Sequence, residues 1–110
     1  MKWVNIALPL YEEEDYSYTV TLEGEAYDLR IYYNTRMSKW FLDLVRDDGT
    51  PMVVGVGMEI YYPILREYYL EDISGFMWLQ PIGGDGNESP EHPELLSKYY
   101  ELFYMWQVEE

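Results

Sequence analysis

Apolar and polar positions alternate with a period of two over most of residues 16–60, and the phase of the alternation specifies how successive segments pair. In Tyr16-Ser17-Tyr18-Thr19-Val20-Thr21-Leu22 the large apolar residues take even positions and the hydroxyl residues odd ones, the pattern of a strand with one buried face. Glu23-Gly24 supplies a two-residue loop, after which Tyr27, Leu29, Ile31 and Tyr33 are apolar on odd positions. Such a loop pairs Val20 with Tyr27 and Tyr18 with Leu29, bringing both apolar sets to one face; one more residue in it would break the match.

The next turn, Asn34-Thr35-Arg36-Met37-Ser38, contains Asn, the non-glycine residue most tolerant of positive φ. It leads into a strand over Lys39–Arg46, with Trp40, Leu42 and Leu44 on the core face and Lys39, Phe41, Asp43 and Val45 on the other. Asp47-Asp48-Gly49 reads as a three-residue hairpin loop in which Gly49 takes the left-handed position. Closure there predicts Leu44 opposite Met52, Leu42 opposite Val54 and Trp40 opposite Val56 in the following strand. Gly55 and Gly57 would then face Phe41 and Lys39, leaving bare backbone for the Phe41 ring or for another chain.

Outside this meander the pattern is less regular. Trp3–Leu8 is an apolar segment ended by Pro9, an edge strand or an N-terminal arm, and Tyr11-Glu12-Glu13-Glu14-Asp15 is an acidic, solvated connector. Glu59–Leu70 mixes periods around Pro63 and predicts a turn with a short helical piece or an irregular loop. Tyr61, Tyr62, Tyr68 and Tyr69 in it read first as a lid over the open end of the core, and alternatively as an exposed interface row. Ile73–Gln80 predicts a largely buried strand ended by Pro81, and residues 81–90 are the stretch richest in turn formers. The last segment fits both templates; aromatic and β-branched residues favour a helical turn over Pro93–Ser97 and a strand over Tyr100–Val108. The expected fold is all-β: one domain over 1–110, an antiparallel meander closing toward a small barrel or sandwich of about six or seven strands. Within it, 1–15 form the arm and connector, 16–60 the four-stranded meander, and 61–110 the closing loops and strands.

Read in order, Tyr18-Thr19-Val20-Thr21-Leu22-Glu23-Gly24, Tyr27-x-Leu29-Arg30-Ile31, Asn34-x-Arg36, Trp40-x-Leu42-Asp43-Leu44, Asp48-Gly49-x-Pro51 and Gly55 resemble the small cyanophage-type baseplate plug proteins of contractile phage tails. The resemblance is dense over about half the chain and reaches more loosely to Pro63-Ile64-Leu65 and Leu102-Phe103-Tyr104. It marks Gly24, Asn34, Arg36, Trp40, Asp48 and Gly49 as fold-defining and implies a closing strand near the C-terminus. It also implies a virion structural protein that binds the baseplate hub and tail tube in three or six copies, assembles in the host cytoplasm, and closes the tail lumen until contraction.

Composition narrows the function further. Twenty-one acidic against seven basic residues give a formal charge of −14, so direct binding to nucleic acid is not expected. The acidity suits plain solubility, a lumen or interface to which DNA must not adhere, or an acidic DNA mimic that occupies the groove of a basic nucleic-acid protein. The mimic is the alternative function. No run approaches the ~20 apolar residues of a membrane helix, and Met1–Ile6 lacks the apolar core of a signal peptide. With no cysteine, disulfides and thiolate chemistry are excluded.

No cofactor and no enzyme activity are expected. His92, the only histidine, sits between Glu91 and Pro93, and neither Ser89 nor Ser97 lies in a nucleophile turn. Asp85, Asn87 and Ser89 alternate as at the start of a calcium loop, but Pro90 replaces the required glycine and the closing Glu is misplaced. Gly83-Gly84 lacks the Lys-Ser/Thr of a phosphate loop. A glycosidase carboxylate pair needs a cleft that raises one carboxyl pKa, which a chain this short does not offer. Arg30, Arg36, Lys39 and Arg46 lie near Asp28, Asp43, Asp47 and Asp48 and read as cross-strand neutralising pairs.

Overall fold

The computed structural model describes residues 2–68, 70, 73–82 and 100–108. Their chain forms β1 (Lys2–Leu8), β2 (Asp15–Leu22), β3 (Glu25–Asn34), β4 (Lys39–Arg46), β5 (Pro51–Gly57), a 3-10 turn (Arg66–Tyr68), β6 (Phe76–Pro81) and β7 (Tyr100–Val108). The strands make two antiparallel sheets, β2-β3-β4-β5 and β1-β7-β6, which do not close into a barrel and pack as a sandwich. Trp3–Leu8 is therefore an edge strand, and the closing strand falls where its aromatic and β-branched residues place it. The proposed helical turn at Pro93–Ser97 and the 83–92 stretch, with His92 and the calcium-like residues, lie outside the described residues.

The first hairpin has the register that its alternation demands, with Val20 opposite Tyr27 and Tyr18 opposite Leu29. Its loop residues Glu23 (φ 53°) and Gly24 (φ 89°) are both left-handed, the turn whose twist matches that of the flanking strands. The second turn differs from expectation. Asn34 does not supply the positive φ; Ser38 does, at 51°. Asn34 Oδ1 instead accepts the Met37 N–H at 3.1 Å, using its side chain to close the turn, and Arg36 is exposed. In the third turn Gly49 has φ 93°, its N–H donates to Arg46 O, and the Arg46 N–H donates to Thr50 O. Asp48 Oδ1 accepts the Thr50 N–H at 2.9 Å.

The regular pairing predicted beyond that turn does not form. The register steps from Val45↔Pro51 to Leu44↔Val53 and then to Leu42↔Val56, so β5 carries an extra residue at each step. The first bulge buries Val53 and leaves Met52 partly buried against the core; the second, at Gly55 (φ 73°), leaves Val54 61% exposed and returns Val56 to the core. Phe41 faces Gly57, not Gly55. Asp43 occupies the gap. Its Oδ1 accepts the Gly55 N–H at 2.7 Å and the Tyr32 hydroxyl at 3.0 Å, so a ladder bond lost to the bulge is replaced by a side chain.

One apolar cluster lies between the sheets. Leu22, Leu29, Ile31, Trp40, Leu42 and Leu44 come to it from the larger sheet, and Met77, Leu79, Leu102 and Tyr104 from the smaller, all essentially inaccessible to water. Each such aliphatic side chain contributes about 1.5–3 kcal/mol by leaving water. Gly75 sits at the entry to β6, where a Cβ would enter the space of the Met105 carbonyl oxygen and of the Trp106 and Tyr104 side chains.

These two glycines predict different costs. Gly49 has open space around it, so Gly49→Val strains only the backbone, by about 1–2 kcal/mol. Gly75→Ala must displace backbone as well and should cost more, about 2–3 kcal/mol or above. Thermal and denaturant melts of both variants check the order; an unchanged melt for Gly49→Val would contradict the bulged turn.

Candidate assembly surface

Two features build the candidate surfaces of the described residues. The first is the segment after β5. Ile60 bridges to Leu79 and Ile64 to Met77, the Tyr61 N–H donates to Leu79 O, and Ile64 exchanges both backbone bonds with Met77. Tyr61 (φ 54°) and Leu65 (φ 84°) take left-handed conformations that bend the chain around Pro63. The result puts Ile64 and Leu65 into the core and leaves Tyr61, Tyr62 and Tyr68 at 50%, 40% and 44% exposure. These tyrosines do not form the lid expected of them, because two aliphatic neighbours already fill that volume; Tyr69 lies outside the described residues. Tyr62 and Tyr68 line a cleft of about 320 Å³ with Lys39 and Glu59, which are ion-paired at 2.6 Å.

The second feature was not anticipated from the sequence. On β6, Met77 and Leu79 point inward, so Phe76 and Trp78 point to the outside of the smaller sheet. Trp3 of β1 meets Phe76 edge-on at 5.8 Å, Phe76 meets Trp78 at 6.2 Å, and Tyr61 lies 6.2 Å from Trp78. The Arg66 guanidinium covers the Phe76 ring at 4.4 Å. A connected aromatic cluster therefore runs along the outer face from β1 to the segment after β5, with Trp3 and Tyr61 exposed, Trp78 half-buried and Phe76 buried beneath Trp3 and Arg66. Its signal was the second apolar parity of Phe76 and Trp78, masked because the first parity, Met77 and Leu79, is apolar as well.

Electrostatic contacts elsewhere differ in detail from the sequence pairing. Arg30 binds Asp15 through two bonds of 2.9 and 2.6 Å and lies 3.6 Å from Asp43, while Asp28 accepts the Thr19 hydroxyl. The hydrogen bond from Arg30 holds the Asp15 carboxyl below its ordinary value. Asp48 is also lowered, chiefly by its bond from the Thr50 backbone and only secondarily by Arg46. Exposed pairs of this kind contribute little to stability.

Glu23 joins the sheets. Its carboxylate accepts the Tyr104 hydroxyl at 2.5 Å, the Ser74 hydroxyl at 2.7 Å and the Ser74 N–H at 2.9 Å. Partial burial alone would raise its pKa, but the bonds from Tyr104 and Ser74 outweigh it and hold the carboxyl below its ordinary value. Burial and the same carboxylate push the Tyr104 hydroxyl far up. Among the described residues, no group of three His, Cys, Asp or Glu side chains could hold a metal ion, and no helix is long and apolar enough to cross a membrane.

A family model described as cyanophage baseplate Pam3 plug gp18 matches residues 5–107. The chain belongs to this baseplate plug family. The match covers the four-stranded sheet together with β6 and almost all of β7, so the likeness read from the hairpin residues extends to the sheet that carries the aromatic surface. Membership makes the chain a virion-associated baseplate component that assembles with other baseplate proteins. A search of curated proteins found no match to the chain.

The Glu23 junction predicts a pH dependence. A carboxyl lowered in the folded state contributes stability that is fully present above its unfolded pKa, ordinarily 4.5, and is lost as pH falls through the folded value. Glu23→Gln should melt below the wild type at pH 7, and the gap should narrow as pH drops below 4.5. Parallel melts from pH 7 to 3 would test this; a gap independent of pH would assign the junction to packing alone.

Proposed function

We propose that this plug-family chain is a structural protein, not an enzyme, that closes the lumen of the tube and hub in the baseplate of a contractile phage tail. The single observation carrying the reading is the family match over residues 5–107. The exposed Tyr61, Tyr62 and Tyr68 and the aromatic face supply residue types that dominate protein–protein contacts. A formal charge of −14 supports a role in a passage that DNA must traverse without adhering.

The working form is a ring, or a set of subunits bound to a ring, in three or six copies on the hub, assembled in the host cytoplasm. A chain with a Cα radius of gyration of 13.7 Å meets the rotational symmetry of a tail tube by repetition. At −14 per copy, chains meeting on an axis repel one another unless basic residues of a partner lie between them. The hub provides that basic face.

Native mass spectrometry should find the isolated chain monomeric or weakly associated, and three or six copies in a baseplate co-expressed with its tail proteins. Failure to recover it with tail particles at low salt would favour an acidic DNA mimic. Assays on peptidoglycan and simple esters should show no turnover; turnover abolished by one Asp or Glu substitution would overturn the structural role.

A further inference from the structure

The two sheets have four edges, and the chain treats them unequally. The edge of β5 is broken by two bulges and Gly55. That of β6 is covered by the bridges from Ile60 and Ile64. On β2 the outward side chains are Asp15, Ser17, Thr19 and Thr21, a polar row beginning at the acidic connector. Bulges, covering segments and charge are the means by which sheets keep an edge from pairing with another chain.

Among the described residues β1 has no bulge and no covering segment, and it carries a single charge at its first residue. It pairs with β7 alone among the described residues, in an unbroken register from Lys2↔Val108 to Leu8↔Leu102. Its seven residues include no Pro, no Gly and no carboxylate, and Lys2 is the only charge, in a chain whose formal charge is −14. The free side of such a strand offers a row of N–H and C=O groups at strand spacing. Beside it lies the aromatic surface, reached through Trp3, which is 53% exposed while its ring rests against Phe76.

We propose that the open edge of β1 receives an extended segment of another baseplate protein, which adds a fourth strand to the β1-β7-β6 sheet. Backbone bonds to β1 would supply the affinity, and apolar side chains at alternate positions would continue the aromatic face past Trp3. The inference rests on the plug reading for the origin of the partner. Charge selects the occupant: pairing β1 with β1 would bring together two copies at −14 each. A segment with Lys or Arg at one end would instead meet Glu12, Glu13 and Glu14, all exposed, on the connector that follows Leu8.

Hydrogen exchange on the isolated chain and on the co-expressed baseplate tests the proposal. The β1 amides not bonded to β7 should exchange freely in the isolated chain and slow by about tenfold or more in the baseplate. The double variant Asn5→Lys, Ala7→Lys changes exposed positions of β1 and should melt like the wild type, yet enter baseplates about tenfold less well. Ser17→Lys on the edge of β2 should enter normally. Wild type in the baseplate with unprotected β1 amides, or normal entry of the double variant, would overturn this inference and leave the plug reading intact. So would protection of these amides in the isolated monomer, which would mean that the chain covers its own edge, or protection that rises with a dimer in sedimentation. Absence of the wild type from baseplates would instead overturn the plug reading.

Discussion

A single apolar layer shared by two small sheets is the constraint on which this structure depends. Each sheet is apolar on its inner face, and a sheet of three or four strands left alone would expose that face to water. Trp40, Leu42 and Leu44 from one side and Met77, Leu79 and Tyr104 from the other complete each other's burial. The chain makes the three-stranded sheet from its two ends, with β1 from the N-terminus and β7 placed between it and β6. The smaller sheet therefore needs nearly the whole chain, whereas the larger one is a local meander.

Two carboxylates settle what burial leaves open. Asp43 takes over the backbone N–H that the β5 bulge removes from the ladder, and Glu23 ties the first hairpin to β7 and to the entry of β6. Glu23 holds a left-handed backbone at φ 53°, a conformation that costs a non-glycine residue about 1 kcal/mol or more. The bonds that its side chain makes across the sheets offset that strain. Both carboxylates act as hydrogen-bond acceptors within the fold.

The acidity is unevenly distributed along the chain. A few carboxylates are structural acceptors, while β1 contains no carboxylate at all in a chain whose formal charge is −14. In the assembly proposed above, this contrast would give the chain a direction, with aromatic and backbone contacts on one side and charge against basic partners elsewhere.

Alternation together with turn chemistry was enough to determine the first hairpin, the strand at Lys39–Arg46 and the Gly49 turn, because a period-two pattern fixes which face is buried and a short loop fixes the register, whereas the closing strand, where both periods fit, was legible only from its aromatic and β-branched residues. The order of those same residues carried the family likeness as well. Three features were decided only in three dimensions. The double bulge of β5 depends on Asp43, twelve residues away, reaching the Gly55 N–H, which no local pattern encodes. The exposure of Tyr61, Tyr62 and Tyr68 followed from competition with Ile64 and Leu65 for one volume, and tyrosine is amphipathic enough to serve inside or out. The aromatic cluster and the place of β1 at the edge of its sheet exist because distant ends of the chain meet in one sheet, and strand pairing between remote segments is set by the core they must jointly fill, not by the residues of either segment.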